Sequence, residues 1–145
     1  MEWFTTLIYL LGATIRVSTP LIFCAMAGLI SERSGVIDIG LEGKMLAAAF
    51  AAAVVAALTG SAWEGLAAAV VVAAMLSLLH GFACITHRGD QVVSGVAINI
   101  IVSGLTVVLG NAWYQRGGET PQLQAEQRFM AVIFPGTDNI SHLPL

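Results

Sequence analysis

The chain has 145 residues, of which 57% are hydrophobic and only 10% charged, with a net charge of −3. Soluble domains carry about 25% charged residues, so this composition excludes a soluble globular enzyme and a disordered chain. It also excludes a nucleic-acid binder that works through a basic patch; the chain belongs in lipid.

The first apolar stretch, residues 4–30, is divided only by Arg16 and reads as one long or broken membrane segment. Pro20 has no N–H to offer the carbonyl of Arg16, which predicts a kink or break there. Arg16 beside it reads either as an interfacial anchor or as a buried functional charge. Met-Glu-Trp at the start lacks the basic region of a cleaved signal peptide, so the segment is expected to be retained.

Residues 31–43 place Glu32, Arg33, Asp38 and Glu42 among Gly35, Gly40 and Gly43, with Val36, Ile37, Ile39 and Leu41 between them. A plain aqueous loop does not need those aliphatics, and a plain membrane helix does not tolerate the charges and glycines. The pattern predicts irregular backbone buried in protein near membrane depth, the kind of interruption that builds transporter sites. A tight cytoplasmic turn is the other reading. Gly43-Lys44 does not complete a phosphate-binding loop, because Asp38 stands where the first Gly is needed and Met45 where Ser or Thr is needed.

Two further membrane segments follow, near 44–59 and 64–86, joined by the short turn Thr59-Gly60-Ser61-Ala62 into an antiparallel hairpin. Ala49, Ala53 and Ala57, and likewise Gly65, Ala69 and Ala73, recur every fourth residue and predict close backbone approach. Ser77, His80, Gly81 and Cys84 form a weak polar stripe. His80 is expected to bond a neighbouring helix, since two potential ligands are too few for a metal. Cys24 and Cys84 read as buried thiols.

The fourth segment, near 92–112, carries Gln91, Gly95, Asn99 and Ser103 at intervals of four, so they share one helix face. That face reads either as a wall of a translocation path or as an interhelical packing contact made by Asn99. Residues 113–145 are expected to form an extramembrane loop with a short amphipathic helix near 121–132, and the chain ends as though truncated. The short-loop basic residues Arg33, Lys44 and Arg88 assign 31–43 and 87–91 to the cytoplasm, with the tail and N-terminus outside. The fold class is thus all-α: a polytopic transmembrane bundle of about four segments over residues 1–112, apparently incomplete.

Thr19-Pro20-Leu21-Ile22, then Gly28 through Gly43, resembles a motif of bacterial ABC-transporter permeases of the branched-chain amino acid/ribose type. The closest branch resembles the nucleoside or simple-sugar importers. Asp90-Gln91-Val92-Val93-Ser94-Gly95-Val96-Ala97-Ile98-Asn99 resembles a second block of that family, in the same order. The resemblance covers residues 17–112. Two positions depart from it: the family usually has Asn where Asp38 stands and an apolar residue where Lys44 stands. Family permeases are roughly twice as long, so only an N-terminal half is represented.

The resemblance implies a permease subunit in a bacterial inner membrane. A periplasmic or lipid-anchored binding protein would deliver a nucleoside or simple sugar, a second permease subunit would complete the path, and separate ATPase subunits would hydrolyse ATP. No covalent chemistry, cofactor, metal or nucleic acid is implied. On this reading Glu32, Asp38, Glu42, Gln91, Asn99 and Ser103 line the substrate path, and Pro20, Gly35, Gly40 and Gly43 mark helix breaks. The alternatives are a branched-chain amino acid permease, or a small structural or assembly protein whose polar stripes serve only packing.

Overall fold

A computed structural model describes residues 2–115, 119–120 and 122–129. Four long helices follow in order: α1 (Glu2–Arg33), α2 (Leu41–Thr59), α3 (Ala62–Gly81) and α4 (Gln91–Tyr114). Each is long and apolar enough to cross a membrane. A π-helical turn, Phe82–Thr86, extends α3. Among the described residues there is no strand.

The helices start and stop where local chemistry requires. Gly60 ends α2 in the left-handed region (φ 76°) and returns its N–H to the Ala56 carbonyl, the usual geometry of a glycine helix terminus. Two residues then suffice to reverse the chain into α3. α2 and α3 approach closely at Gly65, where an added Cβ would stand 2.7 Å from the Ala52 carbonyl and 2.9 Å from the Ala56 Cβ. The antiparallel hairpin forms as expected, and Gly65 of α3 packs against Ala52 and Ala56 of α2.

α4 begins at Asp90, whose Oδ1 accepts from the amides of Val92 and Val93 at 2.8 and 3.0 Å, satisfying two otherwise orphan donors. The small core lies where α2, α3 and α4 meet, on Val54, Ala56, Ile98 and Val102. Farther along, Phe50 of α2 stacks on Trp113 of α4 with centroids 6.4 Å apart.

Three expectations are corrected. α1 runs through Pro20 without a break. Near the missing Pro20 donor, the hydroxyls of Ser18 and Thr19 both donate to the Ile15 carbonyl, at 3.0 and 2.8 Å, and the surrounding turns hold the helix. Within 31–43 only residues 34–40 are non-helical, so Gly43 lies inside the first turn of α2 while Gly35 and Gly40 remain in the interruption. In place of an amphipathic helix at 121–132, the described part of the tail contains one 3-10 turn, Ala125–Gln127. The rest of the tail expectation lies outside the described residues.

Candidate functional site

Residues 34–40 leave the helical ladder, so their backbone polar groups need other partners. Side chains on α1, α3 and α4 supply them. Ile37 donates its N–H to Gln91 Oε1 at 2.6 Å, and Gln91 Nε2 donates to the Gly35 carbonyl at 3.4 Å. His80 Nε2 donates to the Ile37 carbonyl at 3.2 Å. Asn99 Nδ2 donates to the Ile39 carbonyl at 3.1 Å, and its Oδ1 accepts from the Gly43 N–H at 2.7 Å. Ser31 Oγ donates to the Val36 carbonyl at 2.7 Å. No buried side-chain nitrogen or oxygen among the described residues lacks a partner.

Gln91, Gly95 and Asn99 therefore form one continuous seat for the interruption. Gly95 is the middle of that seat: a Cβ there would stand 2.9 Å from the Gly40 nitrogen and 3.1 Å from the Ile39 Cβ. A Cβ on Gly43 would stand 2.9 Å from the Asn99 Cα. The two glycines let the backbones come close enough for the Asn99 amide to reach both flanks.

His80 ties the seat to α3. With Nε2 bonded to the Ile37 carbonyl, the other ring nitrogen, Nδ1, bonds Ser94 Oγ at 3.0 Å. The expected bond to a neighbouring helix is thus the bond to Ser94 of α4. The short connection after the π turn sets this pairing, by bringing the start of α4 beside the end of α3. Cys84 is buried with its sulfur 3.7 and 3.8 Å from the His80 ring nitrogens.

Asp38 and Lys44 form a buried ion pair, with side chains 9% and 6% exposed. Asp38 Oδ1 also accepts from the Gly40 N–H at 3.1 Å and lies 3.9 Å from His80 Nε2. Asp38 and Lys44 are thus each other's partners. A buried carboxylate next to a cation has its charge compensated, and neither group is available to a ligand as a free charge.

The predicted path residues divide accordingly. Gln91 and Asn99 are engaged with backbone, and Asp38 with Lys44. Glu32 is exposed at the end of α1 and does not join the others. Glu42 and Ser103, with Asn99 between them, line a groove of about 180 Å3 together with Gly43, Leu46 and Ile100. A larger cavity of about 330 Å3 between α2, α3 and α4 is walled by apolar residues such as Phe50, Val54, Leu105 and Trp113, and it offers little to orient a polar ligand. The sequence did not single out Lys44 as a partner of Asp38. Residues six apart do not face each other on a helix, and only the interruption brings them together.

Comparison with known proteins identifies the family of the chain. The family model described as branched-chain amino acid transport system / permease component matches residues 10–137. The chain is 40% identical, over 94% of its length, to a Haloferax volcanii protein assigned as a glucose ABC transporter permease, and covers 39% of it. It is 37% identical, over 88% of its length, to the guanosine ABC transporter permease of Bacillus subtilis, covering 41% of that protein. With the nucleoside ABC transporter permease of Lactococcus lactis it shares 35% identity over 81% of its own length and 39% of the relative's. The chain thus spans about two fifths of the length of the curated relatives it matches. No solved structure matches it. With four apolar helices of membrane-crossing length and a family match over most of its residues, the chain is a multi-pass membrane protein of the branched-chain amino acid transport system permease-component family.

Proposed function

We propose that this chain forms part of the translocation path of a permease subunit in an ATP-driven importer for a nucleoside or simple sugar. The observation that carries the reading is the similarity to permeases assigned to glucose, guanosine and nucleosides. That substrate set favours sugar or nucleoside over the branched-chain amino acids of the family description.

The geometry supports a division of labour. Gln91, Asn99 and His80 hold the interruption in one conformation, and Glu42 and Ser103 present polar groups to the groove beside it. Polar side chains on membrane-crossing helices face protein or water rather than lipid, which suits a wall of a path. The expected partners are a second permease subunit, ATPase subunits that supply the energy, and a periplasmic or lipid-anchored binding protein that delivers the substrate. The expected location is the inner membrane. The permease itself performs no covalent step.

The test is uptake of labelled nucleosides and glucose after deletion of the gene. Loss of one of these activities is the expected result, and unchanged uptake of both overturns the reading. A packing-only role is favoured by one observation, the engagement of both Asn99 amide groups with backbone. Recovery of an ATPase subunit with the protein from mild detergent decides for transport, and its absence decides for packing.

A further inference from the structure

The groove beside the interruption offers more acceptors than donors. Glu42 is exposed, and among the described residues no basic side chain lies within ion-pair distance of its carboxylate. Lys44, the basic residue nearest in sequence, is buried against Asp38. Asn99 keeps one N–H and one lone pair beyond its two backbone bonds. Ser103 donates its hydroxyl hydrogen to the Ile100 carbonyl at 3.0 Å, which leaves its oxygen to accept. A carboxylate, an amide oxygen and a hydroxyl oxygen thus stand against a single amide donor.

This balance selects a class of ligand. The uncompensated carboxylate repels phosphates and carboxylates. A neutral molecule rich in hydroxyl donors satisfies the groove, because two adjacent hydroxyls can donate to the two oxygens of one carboxylate. The groove is small, about 180 Å3, and suits a single ring better than a polymer. We infer that Glu42, assisted by Ser103, is the group that recognises adjacent ring hydroxyls of a neutral sugar or ribose moiety on the path. The inference rests on the transport reading above and adds to it the residues that select the substrate.

The test introduces E42Q and S103A at the native locus and follows uptake of two labelled pairs. One pair is guanosine and 2′,3′-dideoxyguanosine, the other glucose and 2,4-dideoxyglucose, with glucosamine as a cationic probe. Membrane levels of each variant are measured alongside. Wild-type protein is expected to prefer the hydroxylated member of the pair it transports. E42Q should raise KM for that member by roughly ten- to hundredfold, the usual weight of a hydrogen bond to a charged group, and collapse the preference. S103A should reduce the preference by a few fold, and decides the matter if E42Q does not reach the membrane. Equal loss for both members at normal membrane levels, or no change in E42Q, overturns the inference while leaving transport intact. A wild-type preference for glucosamine that E42Q removes also overturns it, in favour of a cation site. Wild-type protein that moves none of the probes overturns the transport reading itself.

Discussion

The side-chain amide of Asn99 bridges both flanks of the α2 start, accepting from the Gly43 N–H at 2.7 Å and donating to the Ile39 carbonyl at 3.1 Å. One side chain on α4 thereby fixes where the interruption ends and where α2 begins. Asn99→Leu removes both bonds and strands two backbone groups, at about 1–3 kcal/mol each. The expected outcome is normal membrane insertion with a clearly lower melting temperature in detergent and impaired uptake. Asn99→Asp, which keeps the bond from Gly43, should fall between. A melting temperature unchanged in Asn99→Leu would contradict this account.

The Asp38–Lys44 pair is buried on both sides, so its two members are expected to be worth more together than apart. Asp38→Asn or Lys44→Met alone leaves one buried charge without its partner and should destabilise by roughly 3–5 kcal/mol. The double variant, which removes both buried charges, should recover most of that loss. A double-mutant cycle by denaturant titration in detergent measures the coupling; additive losses would show that the pair does not act as a unit.

Close approach at the glycines makes a graded prediction. Gly95→Ala and Gly43→Ala would place a Cβ 2.9 Å or less from atoms of the facing backbone or the Asn99 side chain, so α4 must shift away from its seat. Both variants should lose stability and uptake. Gly12→Ala and Gly104→Ala, where nothing lies within 4 Å of the added carbon, should change stability by no more than the helix-propensity gain of Ala over Gly, up to about 1 kcal/mol. Equal behaviour of the two sets would remove close packing as the reason for glycine at 43 and 95.

His80 is 2% exposed and bonded at both ring nitrogens. His80→Ala should therefore free the Ile37 carbonyl and the Ser94 hydroxyl together. His80→Gln offers an amide donor and an acceptor and is expected to recover part of the stability. Cross-linking yield between cysteines placed at the ends of α3 and α4 reports the same loosening, and should fall in His80→Ala and partly return in His80→Gln.

Much of this arrangement can be read from the chain itself. Uncharged windows located the four apolar helices, and Gly60 with its neighbours located the hairpin turn. The mixture of glycines, charges and aliphatics at 31–43 located the interruption, because no regular element suits all three. The intervals Gln91–Gly95–Asn99 located the face of α4. What that face touches was not legible, since periodicity describes one helix and Asn99 meets residues 56 and 60 positions away. The continuity of α1 at Pro20 was missed for a related reason: one lost hydrogen bond weakens a long helix less than the turns on either side hold it.

Segment 34–40 also has a place in the order of synthesis. Its bonds to Gln91, Asn99 and His80 join residues 43 to 60 positions apart. When α1 and α2 leave the ribosome, the residues that complete their junction have not yet been made. The junction is finished only when α4 arrives, so a nascent chain that ends before Gln91 lacks the bonds that Gln91 and Asn99 give to it.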